Sequence, residues 1–349
     1  VVTAAVRRVL ERGDFVLGSE TAAFEREFAA FLGTEHGVGV GSGTDAIELM
    51  LRVLDIGPGH KVVVPAHAPS AVAAGVLRSG AGVVFADIEP ETCTLCPESL
   101  DEVLRRHAGQ GIKAALAVHL YGHPADWRSL QRVAEEHGIV LLEDAAQAHG
   151  AVWNGRKAGT LGLMAAFSFY PTKSLGACGD AGAVITADES LAARARELRQ
   201  YGWRRRGVSE VSGINSRLDE LQAAILRGKL PFLSEGMDQR RRLAAIYAAR
   251  LGERTGLEVP RVREGCEHSF HLYVVRSCGR ERALKHLADA GIPVAVHYPV
   301  PLHQQPAFAT GEVLPAAEAA AGSVISLPMH PHLPEAAVNL VCDVMEGCQ

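Results

Sequence analysis

Five short apolar runs, most of them followed by a helical pattern, constrain this chain more than any other feature. They lie in "GVGVGSGTDAIELMLRVL", "KVVVPAHAPSAVAAGVLRSG", "GVVFADI", "AALAVHLYG" and "GIVLLEDAAQ". Runs of four or five apolar residues without alternation are what strands buried on both faces require. Their alternation with helices predicts an α/β fold with a mostly parallel sheet. At 349 residues the chain is long enough for one large unit and a smaller one. Hydrophobic residues make up 48% and charged residues 21%, which allows a sizeable core and excludes global disorder.

Residues 3–12 and 20–32 read as helices, the second with Ser19 as its N-cap. Residues 217–226 ("RLDELQAAIL") begin a long helix, and more helix follows Pro231 through "MDQRRRLAAIYAARL". A second unit then appears, with a strand-like "FHLYVVR", the helix "RERALKHLADAG" and a strand in "PVAVHYP". The boundary falls in the helical stretch, giving a large unit over 1–235 and a smaller C-terminal α+β unit over 236–349.

The formal charge of −5 argues against a dedicated nucleic-acid binder. No run of about 18 apolar residues is present, so no membrane partner is expected, and no signal peptide is read at the start. Seven scattered cysteines, an odd number, fit a reducing cytoplasm better than a disulfide framework. Cys93 and Cys96 form a CxxC without a second pair at similar spacing, so no metal is expected there.

Three motifs carry chemistry. "GVGVGSGTDAIEL" is a strand, a tight turn and a helix start, where backbone N–H groups and the Thr44 hydroxyl form a ready anion site. An ordinary turn capped by Thr44 or Asp45 is the alternative. In "GIVLLEDAAQAHG" an apolar strand ends in Glu143 and Asp144, at the carboxyl edge where open α/β sheets place ligands. A carboxylate there can hold a protonated ring nitrogen, or simply cap the next turn. In "FSFYPTKSLGACGDAGAV", residues 167–184, Lys173 stands alone in a small, apolar, glycine-rich run. Burial lowers a lysine's pKa and suits it to Schiff-base chemistry, unless the side chain escapes to solvent. Together these are the phosphate, ring-nitrogen and Schiff-base groups that pyridoxal phosphate needs. Ser168, five residues before the lysine, adds a hydroxyl for the phosphate.

"GSGTDAIEL", "EDAAQAHG", "SFYPTKSLGACGDAGAV" and "GINSRLDELQAAIL" occur in an order that resembles the DegT/DnrJ/EryC1/StrS aminotransferases. The resemblance runs from about Gly18 to His303 and implies the fold-type I, aspartate-aminotransferase-like architecture of pyridoxal 5'-phosphate enzymes. It implies a glutamate or glutamine donor, a keto-sugar nucleotide acceptor and pyridoxamine phosphate as carrier, in amino-sugar biosynthesis. By this resemblance Lys173 holds the cofactor and then moves its proton, and Asp144 pairs with the ring nitrogen. Gln147 sits beside the phenolic oxygen. Gly43, Thr44, the Asp45 backbone and Ser168 cradle the phosphate. Asn215 matches an asparagine that reaches the phosphate from a second subunit, implying a homodimer with shared sites; a helix N-cap is its other reading.

Pro69 departs from the pattern, because many members carry an aromatic residue there that stacks on the ring. Proline offers no π face, so His67 or another ring takes that place or the cofactor is held less tightly. Arg204, Arg205 and Arg206 suit a diphosphate, or form a solvated loop. His297 and Tyr298 match the segment facing the sugar, with a structural histidine as the alternative. His119 and Tyr121 are expected to pack at a strand end. Cyclitol amination on the same scaffold, and a non-catalytic cofactor-binding regulator, are the rival functions. Lys173 argues against the dehydratase branch, whose members replace that lysine with histidine.

Overall fold

The computed structural model describes residues 1–252 and 256–347. The apolar runs become the core of a seven-stranded sheet: β1 (His36–Val40), β2 (Lys61–Pro65), β3 (Gly82–Ala86), β4 (Ile112–Val118), β5 (Val140–Asp144), β6 (Ala165–Ser168) and β7 (Gly182–Thr186). Their spatial order is β1-β7-β6-β5-β4-β2-β3. Strands β2 to β6 pair in parallel, whereas β7 runs antiparallel to both of its neighbours, β6 and β1.

Helices cover both faces. α3 (Gly43–Val53), α4 (Ser70–Arg78) and α7 (Glu189–Leu198) enclose one core, which includes Leu49, Val62, Leu116 and Val184. On the other face α5 (Pro97–Arg106) and α6 (Trp127–Glu136) bury Leu100, Trp127 and Leu130. Beside them α2 (Ser19–Leu32) and α8 (Glu220–Lys229) close an aromatic cluster. There Phe28 meets Phe167 and Phe169 edge to face, both ring pairs with centroids 5.0 Å apart. α1 (Val2–Arg12) lies against α8 through Ala5 and Val9.

α9 (Leu233–Leu251) spans two cores. Leu233 and Met237 join the aromatic cluster, while Leu243, Tyr247 and Leu251 pack in the C-terminal core. That core lies between α9, α10 (Arg280–Asp289), α12 (Glu335–Glu346) and a three-stranded antiparallel sheet of β8 (Leu257–Glu258), β9 (Tyr273–Ser277) and β10 (Val324–Leu327).

Three local expectations change. Ser19 is the first residue of α2, not its cap. The Glu220 carboxylate, from α8, accepts the amides of Gly18, Glu20 and Thr21 at 2.9, 2.9 and 2.7 Å, so the helix start is satisfied from a distant segment. Residues 217–219 lie outside helix, and α8 begins at Glu220. "PVAVHYP" forms no strand beyond a single bridge between Ala295 and Ser326. Pro293, Pro299 and Pro301 remove the donors a longer ladder would need.

Candidate active site

The carboxyl ends of β2, β4, β5 and β6 converge, and the loops leaving them carry the residues singled out above. Strand alternation separates the two acids that end β5. Glu143 turns to the α5/α6 side, fully buried. It accepts the amides of Gly159, Leu161 and Gly162 at 2.6, 2.8 and 2.7 Å and meets His119 Nε2 at 2.9 Å. Asp144 turns the other way. Its Oδ1 accepts the Ala146 amide at 2.9 Å, and no second hydrogen bond to it is seen among the described residues.

Burial raises the Asp144 carboxyl pKa, opposed by the Ala146 amide and then by the positive charge of Lys173. Burial in turn lowers the Lys173 amine, opposed by Asp144. Each is thus the other's charge partner in a place that disfavours both charges. Lys173 follows a turn closed by its own amide on the Tyr170 carbonyl at 2.8 Å. The Lys173 side chain is half-buried beside Asp144 rather than extended fully into solvent.

The "GSGTD" turn enters α3 beside this pair. Ser42, rather than Thr44 or Asp45, is the N-cap, its Oγ accepting the Asp45 amide at 3.1 Å. Gly43 lies against Ser168: a Cβ added there would meet the Ser168 Cβ at 2.7 Å. The Gly43 and Thr44 amides are first-turn donors that a helix leaves unpaired. Asp45 turns its carboxylate away, accepting from Ser216 Oγ at 2.7 Å and pairing with Arg78 at 2.8 Å. Ser216 also accepts the Gly41 amide at 2.9 Å, so it braces the turn from both sides.

His297 and Tyr298 reach this centre from the C-terminal segment. Tyr298 Oη accepts from Gln147 Nε2 at 3.0 Å, and Gln147 Oε1 accepts the Tyr121 amide at 2.6 Å. Burial, and then Lys173, lower the His297 pKa; its Nδ1 lies 2.8 Å from Ser326 Oγ. Burial pushes Tyr298 up to about 12. His67 is fully buried, held down at about 4 by burial, with Nε2 2.7 Å from the Tyr121 hydroxyl. Pro69 is the N-cap residue of α4, half-buried. The His67 and Tyr298 rings meet edge to face behind it, centroids 6.2 Å apart.

Other expected residues stay apart. Arg204 belongs to an exposed hairpin, Trp203–Arg205 against Val208–Ser209, and pairs with Glu197 and Glu210. Arg205, Arg206 and Asn215 are exposed. Among the described residues no hydrogen bond or ion pair joins them to Lys173 or Asp144. Asn215 caps no helix, since Asp219 precedes α8. Cys93 and Cys96 are free thiols, both pushed up to about 11 by burial; Cys348 lies outside the described residues. No described helix is long and apolar enough to cross a membrane.

His119 is structural as expected, with Nε2 on Glu143 and Nδ1 accepting the Ala125 amide at 3.0 Å. Sequence reasoning missed Ser42, Ser216 and the polar role of Tyr121. The Ser-x-x-Asp spacing over Ser42 and Asp45 was a capping signal. Nothing local marks the other two.

A family model described as the DegT/DnrJ/EryC1/StrS aminotransferase family matches residues 2–346. A dTDP-3-amino-3,4,6-trideoxy-alpha-D-glucose transaminase of Streptomyces venezuelae is 45% identical over 335 residues, 95% of this chain and 87% of the relative. A pleiotropic regulatory protein of Geobacillus stearothermophilus is 42% identical over 334 residues, 94% of this chain and 88% of the relative. The crystal structure of S. venezuelae DesV in complex with a ketimine intermediate superposes with a TM-score of 0.96 at 44% identity, covering 100% of this chain and 94% of that one. A lysine and an aspartate paired at one site, on a scaffold matched over residues 2–346, leave one assignment: the chain belongs to the DegT/DnrJ/EryC1/StrS aminotransferase family.

Proposed function

We propose that this site binds pyridoxal 5'-phosphate and moves an amino group from glutamate or glutamine to a keto-sugar nucleotide, by preference a dTDP-linked keto-deoxysugar. The pairing of half-buried Lys173 with buried Asp144 carries the reading. When bound, the cofactor supplies an electron sink for the carbon that loses or gains its proton. The residues present fit it. Gly43 lets the helix start pack directly against Ser168, which brings the Gly43 and Thr44 amides and the Thr44 and Ser168 hydroxyls together as groups that would hold a phosphate. Because Ser42 occupies the Asp45 amide, that group contributes less than its neighbours.

Lys173 would anchor the cofactor, and its amine would then be the group that holds and moves the proton during transfer. Asp144 would pair with the ring nitrogen and favour its protonated form, and Gln147 would serve the phenolic oxygen. Pro69 supplies a wall without a π face. His297 and Tyr298 face the sugar, and Arg204, Arg205 and Arg206 meet the diphosphate. Asn215 reaches the phosphate of a second subunit, which its exposure in the single chain supports. The same reading divides the chain into cofactor-binding residues 1–235 and C-terminal residues 236–349, and places the enzyme in the cytoplasm. Lys173 and Asp144 together favour catalysis over a purely regulatory role.

Borohydride reduction followed by peptide mapping tests the anchor: a pyridoxyl adduct on Lys173 is expected, and one on another lysine overturns the assignment. Incubating the enzyme with glutamate and a panel of keto-sugar nucleotides tests the acceptor. The same chemistry is read backwards by supplying dTDP-3-amino-3,4,6-trideoxyglucose and following the cofactor spectrum. Refolding Lys173→Ala together with Asn215→Asp tests the shared site. Mixed dimers regain activity at one site if Asn215 acts across subunits, and none if it acts within its own chain.

A further inference from the structure

The segment that carries His297 and Tyr298 has no ladder to hold it beyond the single Ala295–Ser326 bridge. His297 Nδ1 on Ser326 Oγ at 2.8 Å and the Leu302 amide on the Ala66 carbonyl at 2.7 Å add to that bridge, and Tyr121, a residue whose backbone is itself unusual, ties the segment to the strand ends. Tyr121 has φ 59° and ψ −2°, the left-handed region that a bulky aromatic side chain disfavours, and it is 5% exposed. Every polar group it owns is used across a seam. Its amide donates to Gln147 at the end of β5, and its carbonyl accepts the Leu272 amide at 3.2 Å. Its hydroxyl donates to the His297 carbonyl and lies 2.7 Å from His67 Nε2.

The direction of these bonds follows from proton counting. A carbonyl only accepts, so the single hydroxyl proton goes to His297 O. His67 must then donate from Nε2, which fixes its tautomer and leaves Nδ1 bare; that atom is buried and unpartnered among the described residues. The next residue, Gly122, closes the seam. At φ 103°, it accepts the Ser269 amide at 3.0 Å, and a Cβ there would meet Ser269 Oγ at 2.2 Å. A left-handed backbone at 121 and 122 is what lets one side chain reach the site while the main chain holds the C-terminal segment.

We propose that Tyr121 is a positioning residue that latches the His297–Tyr298 segment onto the strand ends and so sets the sugar-facing wall of the site. It acts from two sides. The hydroxyl holds the His297 carbonyl directly. The amide orients Gln147, whose Nε2 then fixes the Tyr298 hydroxyl. The proposal rests on the functional reading above for its effect on substrate, and on geometry alone for the latch.

Tyr121→Phe removes only the hydroxyl. Hydrogen exchange of cofactor-free protein is expected to quicken about tenfold in peptides covering residues 294–300, the effect of one lost hydrogen bond, with β4 and β5 unchanged. Unchanged exchange in that segment, or a uniform rise everywhere, overturns the latch. In the loaded enzyme, KM for the dTDP-amino sugar rises about tenfold, while conversion of the cofactor by glutamate slows far less. Equal losses in both half-reactions overturn the assignment to the sugar-facing wall.

Tyr121→Phe added to Tyr298→Phe costs little more than Tyr298→Phe alone; full additivity counts against coupling. Should Tyr121→Phe not fold, Tyr298→Phe releases the side of the latch that runs through Gln147 and is followed in the same exchange peptides. Faster exchange confined to residues 294–300 then supports the latch, and unchanged or uniformly faster exchange overturns it. If the wild type converts no sugar nucleotide, the functional reading fails, and the exchange result still decides the latch.

Discussion

Glu143 and Asp144 are neighbours on one strand and lead opposite lives. Glu143 meets three amides and one imidazole, and every one of those contacts is internal to the fold. Asp144 has one amide and then faces Lys173. Burial alone therefore does not mark a chemical group, since both are buried. Satisfaction does: a carboxylate whose donors are all local is a strut, and one left short of donors is available to a ligand. The contrast extends to histidines. Both ring nitrogens of His119, on the Glu143 side, are occupied, whereas neither nitrogen of buried His149, near Lys173, finds a well-formed hydrogen bond among the described residues.

The sharpest way to break this contrast is to neutralise each acid in turn. Asp144→Asn is expected to leave the fold intact and to cut turnover by several orders of magnitude, because under the proposed function Asp144 is the charge partner of the cofactor's ring nitrogen. Near-normal turnover with an unchanged cofactor spectrum would assign that role elsewhere. Glu143→Gln should do the reverse, losing about 2–4 kcal/mol of stability in urea unfolding. Its turnover per folded molecule should stay within about twofold of the wild type, since Glu143 touches no reacting group. A Glu143→Gln protein that is stable but inactive would dissolve the distinction.

Acid should expose the histidine half of the contrast. Burial holds His67 at about 4 and His149 at about 3, so both are neutral in the folded chain while unfolded histidines, near 6.5, already take up protons. Lowered folded pKa values mean that the unfolded state binds more protons. Their contribution is therefore fully present above pH 6.5 and lost as pH falls toward 4, at about 1.4 kcal/mol per histidine per pH unit. Urea unfolding of cofactor-free protein between pH 7 and 5 reads the slope, and His149→Phe should remove one histidine's share. The smallest effect concerns the wall. Pro69→Tyr should tighten cofactor retention by about 0.5–1.5 kcal/mol, measured as slower loss on dialysis; equal or faster loss would mean that His67 or Tyr298 already fills the place.

Features governed by local rules were legible in the sequence. Uninterrupted apolar runs located the strands, "GSGTD" marked a helix start, and the lone lysine of "PTKSLG" stood out because its neighbours are small and apolar. Long-range partnerships were not legible. Nothing near Ser19 announces that Glu220 will satisfy its helix, and nothing in "HLYGH" announces a left-handed tyrosine bonded to residue 297. Alternation assigns Glu143 and Asp144 to opposite faces, but which face lacks donors depends on the Gly159–Gly162 loop folding back over β5. For the same reason the "PVAVHYP" segment resembled a strand: its apolar pattern was right, and its prolines outweighed it.

The place of β1 has a consequence for how the protein is made. This strand is synthesised first, yet its one neighbour in the sheet is β7, with His36 opposite Thr186. Gly182 of β7 also lies against the turn, close enough that a Cβ would meet the Ser42 carbonyl at 2.3 Å. On the ribosome, at roughly 5–20 residues per second, the turn of residues 41–45 waits until the segment bearing Lys173 and then β7 have emerged. The turn of residues 41–45 and the segment bearing Lys173 thus mature in a single event, and a nascent chain halted before Gly182 lacks a finished sheet edge.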